Sequence, residues 1–71
     1  MTQVSIRLRF RQRLREWRAK RKLTQQQLAD KAGIEYKYLQ RIEGKNPPAV
    51  RIDMIAKLAK ALRIKPSSLL E

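Results

Sequence analysis

The punctuation between residues 24 and 48 leaves this chain little choice of architecture. Thr24 followed three residues later by Gln27 is a capping box, in which each side chain satisfies the other residue's free backbone amide, so a helix begins there. Gly33 stops it, because glycine takes the left-handed conformation at little cost. Gly44-Lys45-Asn46-Pro47-Pro48 is a loop, since tandem prolines have no place in a helix interior. Between the two glycines there is room for one more short helix, over residues 36–43.

Three further helices are read around this pair, all on apolar residues at three- and four-residue spacing. The first spans residues 7 to 21, with Phe10, Leu14 and Trp17 on one stripe, joined by Ile6 if the helix starts early. Val4, Ile6, Leu8 and Phe10 also alternate with polar residues, which is a strand period, and the two readings conflict over residues 4 to 9. In the second helix Leu28, Ala29 and Ala32 make a narrow apolar face; in the third, Ile34, Leu39 and Ile42 point inward. The fourth, over residues 51 to 62, carries Ile52, Ile55, Ala59 and Leu62 inward. Pro66 suits the first turn of a short fifth helix ending in Leu69 and Leu70. The expected fold is all-α, a compact five-helix bundle, with residues 7–71 as its domain and residues 1–6 as an arm, either a short strand or disordered.

Composition narrows what such a domain can do. Cys and His are both absent, which removes the disulfide, the thiolate nucleophile, the commonest general base and the usual zinc ligands. No enzymatic motif is present, and no cofactor, metal or small-molecule ligand is expected. Eighteen Lys/Arg against six Asp/Glu give a net charge of +12, which favours a polyanionic partner. Nine of those cations lie between Arg7 and Lys22, where the plain alternative is a solvated helix face. Met54-Ile55-Ala56, the longest unbroken apolar run, is far too short for a membrane span or a signal peptide, so a cytoplasmic location is expected. The segment Ile55-Ala-Lys-Leu-Ala-Lys-Ala-Leu-Arg-Ile-Lys65 has the look of a basic membrane-surface helix, but the core needs its apolar residues, and no membrane partner is expected.

Two short helices joined by a tight Gly-containing turn are the core of a helix-turn-helix. Small Ala29 allows close approach of the second and third helices, and the outer face of the third is left free to enter a major groove about 12 Å wide. At this point the stretches LREWRAKRKLTQQQLADKAG, YLQRIEGK and IAKLAKAL, taken in order, resemble the Cro/C1-type (XRE-like) family of phage repressors and small bacterial transcriptional regulators, over residues 10 to 70. The resemblance implies a lambda-repressor-like DNA-binding domain whose third helix reads bases. Residue by residue, it places Tyr36, Lys37 and Arg41, with Gln40 on the same face, among base-contacting positions. Arg and Lys suit guanine O6 and N7, and Tyr36 suits a thymine methyl or a phosphate. Gln25 matches the glutamine that anchors the second helix to a phosphate, Tyr38 is a packing residue with its hydroxyl near a phosphate, and Lys45 and Asn46 fall where the loop approaches the backbone. Arg18 and Glu43 resemble a structural ion pair joining the first helix to the end of the third.

This chain departs from the family pattern at three places. Glu35 replaces a small hydroxyl residue that usually caps the recognition helix, Trp17 replaces an aliphatic core residue, and the loop reads Glu-Gly-Lys-Asn-Pro-Pro. The function expected is sequence-specific binding of double-stranded DNA as a transcriptional regulator, a repressor acting as a homodimer on a palindromic operator. An antitoxin-type interaction module is the alternative. Two surfaces are candidates for the dimer contact: Leu69 and Leu70 beside the loop between the third and fourth helices, or a strand formed by Val4, Ile6 and Leu8 that pairs with its twin.

Overall fold

The computed structural model describes residues 3–71, with side chains from residue 6 onward. Four α-helices and a closing 3-10 turn follow one another: α1 (Gln3–Lys20), α2 (Gln25–Ala32), α3 (Tyr36–Ile42), α4 (Ile52–Leu62) and the turn Pro66–Leu69. The expected five-helix bundle is therefore corrected to four helices. The fifth segment is too short and too tightly wound to count, with Pro66 at its start fixing the chain for a single turn.

Helical periodicity wins the contest over residues 4 to 9, because α1 already begins at Gln3. Residues 1 and 2 of the expected arm lie outside the described residues. Phe10 and Leu14 are buried, and Trp17 packs half-buried against the same core. Ile6, on the same stripe one turn earlier, is half exposed. Lys20 sits over the Trp17 ring at 4.6 Å and Arg21 at 5.5 Å, so the indole carries a cation on its open side.

The limits of α2 follow the residues that announce them. Thr24 Oγ1 accepts from the Gln27 amide at 3.1 Å, and Gln27 Oε1 accepts from the Thr24 amide at 2.9 Å. Gly33 closes the helix at φ 70°, a conformation that a side chain would strain. Leu28 and Ala29 are fully buried, and α2 packs against both α3 and α4.

In α4 one expectation fails. Ile52 was assigned to the inward stripe, yet it is 83% exposed, whereas Leu58 is completely buried. The stripe runs through Leu58, Ala59 and Leu62, flanked by half-buried Met54 and Ile55. Ile52, at the edge of that stripe, falls in the first turn, beyond the reach of the elements that cover the rest. Leu69 completes the core at full burial, while Leu70 is left 50% exposed.

Candidate nucleic-acid interface

Seven residues make a helix too short to persist alone, so α3 owes its existence to what it buries. Leu39 and Ile42, three residues apart, are fully buried and fix its rotation. That rotation sends Tyr36, Lys37, Gln40 and Arg41 outward together, and all four are exposed. Neither Lys37 nor Arg41 is in an ion pair among the described residues. Tyr38 is half-buried against the core and lines, with Lys37 and Arg41, an open groove whose far wall is Met54 and Lys57 of α4. Lys57 is a member of this site that sequence reasoning missed. Its segment is marked in the sequence by its apolar stripe, and only the packing of α4 brings Lys57 into the groove beside α3.

Glu35 stands at the N-cap of α3 with no side-chain capping bond, and it lines the same groove as Lys37 and Arg41. A shorter hydroxyl there reaches the free amides of the first turn, which a glutamate does not. Glu35→Ser is expected to raise unfolding free energy by about 0.5–1 kcal/mol in thermal melts. It should also tighten DNA binding by removing an anion from the interface. A variant that melts higher but binds no better would place the Glu35 carboxylate away from phosphate.

Behind the two helices lies one buried carboxylate. Glu43 is 5% exposed and receives three hydrogen bonds: Arg18 Nε to Oε2 at 2.9 Å, Arg18 Nη2 to Oε1 at 2.9 Å, and Gln25 Nε2 to Oε1 at 3.1 Å. The guanidinium meets the carboxylate in the planar two-bond geometry that suits it, and its third nitrogen, Nη1, donates to the Leu23 carbonyl at 3.0 Å. Gln25, at the first position of α2, thus gives one amide N–H to Glu43.

The loop after α3 is tied down from α1. A Cβ on Gly44 would lie 3.1 Å from the Gln40 carbonyl oxygen, so a side chain there would need the turn to give by a few tenths of an ångström. The Gly44 carbonyl accepts from Arg11 Nη1 at 2.9 Å, and the Lys45 carbonyl lies 3.4 Å from the same nitrogen. With Pro47 buried, Lys45 and Asn46 are held out on the exposed side of the loop. Arg11 is a positioning residue that nothing in the sequence singled out from its neighbours. Arg13 donates to the Glu71 carbonyl at 3.0 Å, and Arg21 to the Leu62 carbonyl at 2.8 Å. Four cations of the basic run, Arg11, Arg13, Arg18 and Arg21, are therefore engaged with backbone carbonyls. The polyanion expectation attaches to the cations that remain.

A sequence profile described as Helix-turn-helix matches residues 14–69, enclosing α2, the Gly33 turn and α3. The chain belongs to the Cro/C1-type helix-turn-helix family. Among solved structures it is similar to the restriction-modification controller protein C.AhdI from Aeromonas hydrophila. The two are 38% identical, with a TM-score of 0.82, over 89% of this chain and 94% of that one. No curated protein sequence matches it. In this helix-turn-helix protein the match opens at Leu14, so Phe10 and the loop-holding Arg11 lie upstream of it. No helix among the described residues is long and apolar enough to cross a membrane.

Proposed function

We propose that this DNA-binding transcription regulator recognises a palindromic operator as a homodimer, most simply as a repressor. The observation that carries the reading is the outer face of α3, where Tyr36, Lys37, Gln40 and Arg41 project together from a helix whose other side is locked by Leu39 and Ile42. Tyr36, Lys37, Gln40 and Arg41 read base edges. Gln25, Tyr38, Lys45 and Asn46 hold phosphates and set the register. Arg41→Ala should then weaken binding to a selected operator by about 1–3 kcal/mol and relax preference at one base pair. Lys45→Ala should weaken selected and random DNA alike, with the slope of log K against log salt reduced by about 0.9 per protomer, roughly 1.8 for the dimer. Titrating both variants against operators altered at single positions separates the roles. Identical profiles for the two would refute the assignment.

The dimer follows from how little one short helix can read, and two such helices about 34 Å apart multiply specificity. Ile6 and Leu70, each about half exposed, border one small apolar cleft with Phe10, Pro48, Val50 and Ile55. Ile6 of the N-terminal candidate and Leu70 of the C-terminal one therefore meet at the same cleft. The strand version of the contact has no support, since residues 3 to 9 are helical. Leu70→Glu is expected to shift sedimentation from dimer to monomer without lowering the melting temperature of the monomer. A wild-type chain that stays monomeric both free and on operator DNA removes the dimer.

A further inference from the structure

A second strongly basic face lies around α4 from the recognition helix. Lys31 at the end of α2, Lys57 and Lys60 of α4, and Arg63 just past its end line one open cleft, floored by Ala32 and Ala61, with no carboxylate among its walls. None of the four cations is in an ion pair among the described residues. Lys57 belongs to this cleft and also to the groove beside α3, so the two surfaces are continuous.

A cation near a helix C-terminus is favourable by itself, which accounts for Lys31 and Lys60 taken singly. It does not account for bringing four into one cleft, where they repel one another. Arg63, moreover, stands at φ 58°, a backbone conformation better suited to glycine or asparagine, so the turn that ends α4 does not itself call for arginine. The small alanine floor lets a rod-like partner approach closely. From Lys57 to Arg63 the helix advances about 9 Å, close to the axial rise of three nucleotides of one strand at roughly 3.4 Å each.

We propose that this α2–α4 face is a second phosphate-backbone contact, over which the duplex flanking the recognised half-site runs. The inference rests on the reading of α3 as the base-reading helix and extends it by a separate set of residues. The flank adds affinity but no sequence preference, since phosphates carry none.

The test compares an operator duplex, selected from a random pool and trimmed to its protected core, with the same core extended by about one helical turn, roughly 10 bp, on each side. The wild-type chain should bind the extended duplex at least about tenfold more tightly at low salt, with a slope of log K against log salt steeper by about 2–3 for each flank, at about 0.9 per phosphate. The triple variant Lys31→Gln, Lys60→Gln, Arg63→Asn should lose that gain. It should bind the core duplex within about twofold of wild type and melt no lower, because it relieves repulsion. Lys57 stays in place because it also lines the α3 groove. The pair Lys31→Arg, Lys60→Arg should keep the gain. If the triple variant gains from the flanks as wild type does, the proposal is wrong. If the wild type binds its core but gains nothing from flanks, the face does not meet DNA and the proposal is wrong. Failure to select any bound sequence, by contrast, would overturn the reading of α3 itself.

Discussion

Arg18→Ala is expected to lower the unfolding free energy by about 3–5 kcal/mol, a large part of what a domain of this size has. The argument rests on the unequal burial of the two partners. The Glu43 side chain is 1% exposed and the Arg18 side chain 21% exposed, so removing the arginine strands a carboxylate that cannot reach water. Gln25 remains as a neutral donor, and one hydrogen bond of that kind does not replace two charge-assisted ones. Glu43→Gln is the milder change. It leaves an amide oxygen to accept from Arg18, and the guanidinium is open enough to be partly solvated. Thermal melts should rank wild type above Glu43→Gln and Glu43→Gln above Arg18→Ala. A folded Arg18→Ala variant with the parent's melting temperature but poor DNA binding would make Arg18 a phosphate contact.

The second large effect is set by α4. Leu58→Ala should cost about 2–5 kcal/mol, combining the lost transfer energy of the side chain with the cavity left where the core cannot collapse. Ile52→Ala, six residues earlier in the same helix, should change the stability of the monomer by less than about 0.5 kcal/mol, because the side chain is 83% exposed. Urea titration of both variants checks the contrast. Equal losses would mean that Ile52 is covered in solution, and a concentration-dependent loss would identify a second copy of the chain as the cover.

The contrast also shows what was legible in the sequence. Local signals with a stereochemical cause were read correctly: the Thr24–Gln27 box, the left-handed Gly33, and the inward placing of Leu39 and Ile42. A periodic stripe gave α4 and its buried Ala59 and Leu62 but not the extent of the covered face, since Ile52 and Leu58 are equally apolar and only the position of neighbouring elements distinguishes them. The closing segment was read as a helix because proline marks a beginning without saying how long the element lasts. For the interface, the outward residues of α3 were available from its period, whereas Lys57 and Arg11 were not. Both act across tertiary contacts, Arg11 on a carbonyl 33 residues away. An arginine among many arginines carries no local mark of that partner.

Four arginines, three on α1 and Arg21 just past its end, have a consequence for how the molecule comes apart. Arg11 holds the chain after α3, Arg21 the end of α4, Arg13 the last residue, and Arg18 the junction of α2 with α3. Detaching α1 releases all four attachments at once and uncovers Phe10 and Leu14 together. There is thus no inexpensive partial opening in which the recognition pair stays built while the first helix is loose. Amide protons of α2, α3 and α4 should exchange with solvent through a shared, global event rather than through separate local ones. The first helix thereby sets the lifetime of the exposed face of α3.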